Sequence, residues 1–467
     1  MARDPAPDAV VIARSRQPAQ RRGARVPAAQ RERLIVDEAI RFFAREGFDG
    51  QMRRLAERLG IHHSVLFRHF PHKKDLVARV YQELYFSRWQ PEWSEQLRDR
   101  SVPLPQRLLR FYRSYTRAIF REDWVRIFMF AGLNGMPLNA AYLAVLREHL
   151  LVPICQELRL SAGLAESGAH AITPQELEIA WGLHGRIFYL AVRKFIYGLT
   201  IPRDLDPYLI DAIEVFFHGA MAGGGVPARG ACAQVPCEDA AQTAPPARPP
   251  RRRLSAEDRE RLIVDEAISY FAEHGTGGQL RALARRIGVT HPLLYRYFPT
   301  RSALLERVYQ EIYIGHWNPR WGALLRDDTR HAQARIIGFY VEYMRVIFDY
   351  RWCRIFIYSS LHGSDISRRY LAIVRRDVIL PIAACLRGAH AAQDGLSARR
   401  AQELAWGLHG QIFYVAMRRF VYDMAVGEPL DRLVETTVIG FLHGAVPALR
   451  HAISGDGRAL SLNDGAG

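Results

Sequence analysis

The sequence predicts an all-α protein in which one unit is present twice. Three observations predict it. Apolar residues recur at helical spacing along most of the chain, and alternating β patterns are absent. The run RERLIVDEAI that begins at Arg31 returns at Arg259, a shift of 228 positions. Over 31–93 against 259–321 more than half of the aligned positions are identical, which is duplication rather than shared composition.

The repeat continues to the end of each half. Trp89 and Trp93 match Trp317 and Trp321, Trp124 matches Trp352, and Pro153 matches Pro381. After a three-residue difference in length, WGLHGRIFYLAVRKFIYG from Trp181 matches WGLHGQIFYVAMRRFVYD from Trp406, and His218-Gly219-Ala220 matches His443-Gly444-Ala445. Each half is therefore a domain-sized unit of about two hundred residues.

Taken in order, residues 1–27 are rich in Arg, Pro and Ala without apolar period and read as a disordered basic arm. Leu34, Ile35, Ala39, Ile40, Phe42 and Phe43 then lie on one helix, ended by Gly47. In Arg53–Leu76, the residues Leu55, Ala56, Leu59, Ile61, Leu66 and Phe70 keep helical spacing while Gly60 interrupts the run, which predicts helix, tight turn, helix. One long helix is expected from Lys73 to Leu97, several from Leu104 to Leu158, and two more from Gln175 to Gly219. The resulting division is an arm (1–27), a first helix-turn-helix head (28–75), a first helical body (76–221) and a Pro-, Gly- and Ala-rich linker (222–255). The second head (256–303), second body (304–451) and a disordered tail (452–467) follow.

Composition narrows the function. A net charge of +16 favours polyanionic partners, discounted because Arg and Ala are abundant throughout. The cysteines at 155, 232, 237, 353 and 385 show neither CxxC nor zinc-ligand spacing, and no export signal is visible, so a reduced, cytoplasmic protein is expected. The uncharged window 127–146 is broken by Gly, Asn and Pro, which rejects a membrane span. No hydrolase, phosphate-loop, dinucleotide or metalloprotease motif occurs, so neither an enzyme nor a cofactor is expected.

Leu66-Phe67-Arg68-His69-Phe70-Pro71 with Lys73 and Leu76, and more closely Val289-Thr290-His291-Pro292-Leu293-Leu294-Tyr295-Arg296-Tyr297-Phe298-Pro299, resemble the end of the helix-turn-helix in TetR/AcrR-type transcriptional regulators. The resemblance implies two tandem units, each a three-helix DNA-binding head on a helical body that binds a small apolar or amphipathic effector and dimerises. Here the expected four-helix interface forms within one chain, helices 175–219 against 400–445. Trp181, His184, Phe188 and His218 would pair there with Trp406, His409, Phe413 and His443, giving an intramolecular pseudo-dimer that could pair further as a homodimer or exchange halves between chains.

His62, His63, Ser64 and Arg68 in the first head, and Thr290, His291, Pro292 and Arg296 in the second, are expected at base edges, where Arg pairs with guanine and Ser or Thr with either edge. The resemblance implies phosphate contacts from Phe67 or Tyr295, His69 or Tyr297, and Lys73 or Arg301. Because Phe67 lacks a hydroxyl and His62 is a poorer N-cap than Thr290, the first head is expected to be the weaker. His62, His63, His69 and His72 do not converge as a metal site. His184, His218, His409 and His443 read as core or interface histidines bonded to backbone or partner.

In the bodies, Tyr115, Trp124 and Phe128, with Tyr343, Trp352 and Phe356, are expected either to border an effector pocket or to be plain core. Arg126 and Arg354 either face an acidic ligand or make buried salt bridges. The resulting function is a ligand-responsive repressor reading an imperfect palindrome in double-stranded DNA. The alternative is the same scaffold with weakened DNA binding, acting as a ligand- or protein-binding module.

Overall fold

The computed structural model describes residues 27–162, 172–219, 255–363, 365–389, 396–426 and 429–444. The expected arm, linker and tail lie outside these residues except for Pro27 and Ser255. The first unit runs α1 (Ala28–Glu46), α2 (Met52–Arg58), α3 (His63–His69), α4 (Lys73–Tyr81), α5 (Glu92–Arg98), α6 (Leu104–Ile119), α7 (Glu122–Leu133), α8 (Pro137–Leu146), α9 (Val152–Ser161), α10 (Pro174–Phe195) and α11 (Asp206–His218). The second repeats the order as α12 (Ala256–His274), α13 (Leu280–Ile287), α14 (His291–Tyr297), α15 (Arg301–Tyr309), α16 (Arg320–Arg326), α17 (Ala332–Ile347), α18 (Tyr350–Leu361), α19 (Asp365–Val374), α20 (Leu380–Ala389), α21 (Ala398–Phe420) and α22 (Leu430–His443). No strand occurs among the described residues, and none of the helices is long and apolar enough to cross a membrane.

The single helix expected over Lys73–Leu97 is not continuous. α4 runs on through a π-helical turn, Gln82–Phe86, and then stops before α5. Pro91 accounts for the break, since it has no N–H to give the preceding turn and biases Gln90 away from helical geometry. Pro319 stands at the same place in the second unit, where the π-helical turn Gln310–Ile314 also recurs.

Gly47 closes α1 at φ 69°, and a Cβ there would lie 2.9 Å from Cδ1 of Phe130 on α7. A side chain would thus meet both the left-handed backbone and the body, which fixes how closely the head seats on α7. Gly60 is different. Its φ is 64° but nothing lies within 4 Å of the place a Cβ would take, so the turn between α2 and α3 needs glycine for backbone sign alone.

Behind the heads, α10 packs along α21, and α11 packs with α22, so two helices from each unit share one bundle. The bundle is close-packed where the sequence repeats WGLHG. A Cβ on Gly185 would come within 2.6 Å of Tyr414, and one on Gly410 within 2.2 Å of Tyr189. Each body also receives a ring from the other unit: Tyr422 packs 4.9 Å from Phe128, and Tyr197 packs 5.3 Å from Phe356. Burial of large rings such as these is favourable to the contact between the two units.

Candidate nucleic-acid interface

Each head is held together from inside. Leu55, Ala56, Leu66 and Phe70 are buried, as are Ile35, Ala39 and Phe43 of α1, and the second head buries Leu283, Ala284, Leu294 and Phe298 in the same way. Arg58 pairs with Glu38 at 2.6 Å, and Arg286 with Glu273 at 2.6 Å, tying the second helix of each head to the first. The outward face is then left to the residues expected to read DNA. His62, His63, Ser64, Phe67 and Arg68 are exposed, as are Thr290, Pro292, Tyr295 and Arg296, while His69, His291 and Tyr297 are half-buried. Phe67 and Tyr295 are each 39% exposed, large rings presented to solvent at the same position of the repeat. Aromatic surface held out like this, beside an arginine, suits contact with sugar and phosphate.

Capping of the recognition helices runs opposite to expectation. The His62 ring accepts from the Ser64 amide at 3.4 Å and lies 2.8 Å from its hydroxyl, so this histidine does cap α3. Thr290, the better cap by residue type, makes no side-chain cap bond to α14. Pro292, at the second helical position, has no N–H, which removes one of the two amides a capping threonine can hold; the other, on Leu293, is not bonded by Thr290 either. The first head is therefore not the one with the poorer helix start.

Lys73 and Arg301 are also not free cations. The Lys73 ammonium donates to the carbonyl of Phe48, and Arg301 donates to Gly278 at 2.7 Å and Gly277 at 3.1 Å. These carbonyls belong to the turn between the first two helices of a head. Burial lowers the Lys73 ammonium from its usual range, an effect partly opposed by Asp49. These side chains lock the turn against the start of α4 or α15, whereas the sequence expectation has them reach outward to phosphate.

In the bodies the structure brings Tyr115, Trp124 and Phe128 together as close-packed core. Trp124 stacks on Phe128 at 5.0 Å, and Tyr142 donates to the Tyr115 hydroxyl at 3.3 Å. Trp352 and Phe356 stack at 5.2 Å, with Tyr343 and Tyr370 hydroxyls 3.0 Å apart. Among the described residues Arg126 and Arg354 make no buried salt bridge. Arg126 donates to the carbonyls of Ala44, Phe195 and Leu361, and Arg354 to those of Ala272, Phe420 and Leu133.

Trp181, His184, Phe188, Trp406, His409 and Phe413 are all buried in the shared bundle or beside it. Among the described residues, Nδ1 of His184 and of His409 have no hydrogen-bond partner, and neither do the hydroxyls of Tyr112 and Tyr340 or the indole N–H of Trp124. Burial lowers both imidazoles to about 3, Arg418 adding to the effect at His184, so both rings are neutral. The other pair diverges. His218 is exposed, and His443 turns to Gln333 of its own unit at 2.7 Å.

Sequence reasoning missed the polar contacts across the bundle. Arg193 pairs with Glu403 at 2.7 Å, and the buried Arg418 pairs with Glu178. The available signal was that Arg418 is the repeat counterpart of Arg193, and Glu403 that of Glu178, each 225 positions on.

The family model for bacterial regulatory proteins of the tetR family matches residues 35–80 and again residues 263–308. Both matches cover α1 to α4, or α12 to α15, the segments whose outward faces are described above. No curated relative matches the chain. With the helix-turn-helix built twice on the same scaffold, the chain carries two tandem DNA-binding domains of the tetR family of bacterial regulatory proteins.

Proposed function

We propose that this regulator is a ligand-responsive repressor that works as an intramolecular pseudo-dimer and reads an imperfect palindrome. The observation that carries the reading is the pairing of unlike recognition faces. His62, Ser64, Phe67 and His69 stand where Thr290, Pro292, Tyr295 and Tyr297 stand in the other head, while His63 and Arg68 keep their identity as His291 and Arg296. Shared residues read the shared bases of the two half-sites, and the differing ones break the palindrome. Packing of α10 and α11 against α21 and α22 supports pairing within one chain. In this reading 28–75 and 256–303 are the DNA-binding heads, and 76–221 and 304–451 the regulatory bodies.

An effector would act on the bodies. The buried, unpartnered groups of Tyr112, Trp124 and His184, and of Tyr340 and His409, favour a small apolar molecule with a few hydrogen-bonding atoms. Binding that supplied partners to these groups would favour one arrangement of the body. The DNA affinity lost would equal the effector's preference for that arrangement.

Light-scattering mass, measured alone and with DNA from immediately upstream of the coding region, tests the reading. One chain per operator, with affinity falling steeply as salt rises, is expected. Two chains per operator would move the pairing between molecules, and an absence of binding at every salt would overturn the repressor reading.

A further inference from the structure

We infer that the shared bundle is built to pair unlike units: the Arg186–Gln411 contact makes a first unit accept a second unit and refuse another first. The inference rests on the pseudo-dimer reading above and adds to it a rule of partner choice. Arg186 on α10 and Gln411 on α21 are counterparts in the repeat, 225 positions apart, and they meet each other. Arg186 Nη2 donates to Gln411 Oε1 at 3.0 Å.

A position that meets its own counterpart sits where a two-fold axis would pass, so in a pairing of like units it would meet itself. Arg186 is 3% exposed, donates otherwise only to the Ala212 carbonyl at 3.3 Å, and lies over the Phe441 ring of the second unit at 5.1 Å. Arg186 and Gln411 line a small cavity with Glu178, and that carboxylate is engaged by Arg418. Two first units would therefore bury two guanidinium groups against each other with no carboxylate between them, an arrangement strongly disfavoured. Glutamine instead offers the arginine a neutral acceptor. The facing helices are shaped for this pair: a Cβ on Gly182 would lie 2.1 Å from Gln411 Nε2, and one on Gly407 would lie 3.1 Å from Arg186 Cγ.

A second contact is one-sided in the same sense. Arg400 of the second unit pairs with Asp211 of the first at 2.7 Å, and approaches Glu214 at 3.6 Å. Across the pseudo-two-fold the counterparts are Gln175, Thr436 and Ile439, all uncharged. Like pairing would set Asp211 opposite Gln175 and Arg400 opposite Thr436. The Arg193–Glu403 and Arg418–Glu178 pairs are the same on both sides and hold the bundle without choosing a partner. In a chain with two pairing faces, like-with-like association would link chains end to end; unlike pairing lets one chain close on itself.

The test is thermal unfolding of the full chain in three variants. Gln411→Arg sets two arginines together and should lower the unfolding midpoint by roughly 5 °C or more. Arg186→Gln should lower it less. The exchange variant carrying Arg186→Gln with Gln411→Arg restores an unlike pair in reversed order and should regain at least half of the loss. An exchange variant as unstable as Gln411→Arg, or a Gln411→Arg midpoint equal to that of the wild type, overturns the inference. If Gln411→Arg yields no folded protein, the exchange variant alone decides: a folded product supports the inference and an unfolded one overturns it. The underlying reading is tested separately by cutting the wild-type chain at a protease site placed between residues 222 and 255. Fragments that remain together at the mass of the intact chain support it, and fragments that separate overturn both.

Discussion

The Arg126 guanidinium crosses between the units to donate to the carbonyl of Leu361 at 2.6 Å, and Arg354 returns the contact to the carbonyl of Leu133. All of the carbonyls these two arginines hold lie at or near helix C-termini. Arg126 also takes Ala44 near the end of α1, at 2.6 Å, and Phe195 at the end of α10. Carbonyls in a last turn have no helical partner and carry the negative end of the helix dipole, so a guanidinium with its forked donors is well matched to several at once. One side chain therefore ties a head, its own body and the facing unit. These contacts link α7 and α18 to both heads, which would give the proposed effector response a physical route.

Replacing either arginine by methionine should destabilise the chain by about 3 kcal/mol, because charge-assisted bonds are lost and buried carbonyls are left unpaired. Lysine at the same site should lie between, since its single ammonium cannot reach three carbonyls in a fixed fork. Denaturant unfolding followed by helix circular dichroism measures this. Arg126→Met or Arg354→Met proteins with wild-type midpoints would remove the clamp from the account.

Arg301→Ala and Lys73→Ala separate a structural clamp from a phosphate contact. With their side chains held on the carbonyls of Gly278 and Phe48, truncation should loosen the head while leaving the slope of log affinity against log salt unchanged. A slope shallower by about 1 would mean that the cation leaves its carbonyl to neutralise a phosphate.

The recognition faces make opposite predictions at two positions. Arg296→Ala, which removes an exposed guanidinium from α14, should weaken binding by about 1–3 kcal/mol and relax the preference at one base pair. Phe67→Tyr should tighten binding several-fold, by giving the first head a hydroxyl at the position where the second head carries Tyr295. Competition between operators differing in one half-site assigns each effect to its head.

The helices and the duplication were legible because both depend on local or repeated signals. Helical spacing places Leu55, Leu66 and Phe70, Gly47 and Gly60 mark turns, and a shift of 228 positions pairs the two heads. The partners of polar side chains were not legible, because they depend on what lies opposite. Nothing near Arg126 in sequence announces Leu361, 235 residues away, and nothing near Lys73 announces Phe48. Capping was not legible for a related reason: residue type ranks Thr290 above His62, but the bond depends on how each side chain is turned. The break before Pro91 had a sequence signal, a proline inside a helical pattern, that outranked the continuing apolar period.

Acid should destabilise the chain through His184 and His409. Both imidazoles are enclosed by rings, His184 by Tyr112, Tyr115, Phe188 and Tyr414, and His409 by Tyr340, Tyr343 and Trp406. Burial lowers each from 6.5 to about 3. The folded state therefore holds these rings neutral while the unfolded chain binds protons below about pH 6.5, so stability falls as pH drops from there toward 3. Between pH 7 and 5 each histidine should cost about 2 kcal/mol, the difference in proton uptake summed over that interval. Above pH 7 these two groups contribute no further change. His184→Leu and His409→Leu should each flatten the acid side of the stability profile by that amount, read as the difference from wild type in urea unfolding at pH 7 and pH 5. Parallel profiles would show that the imidazoles take up protons without leaving the folded core.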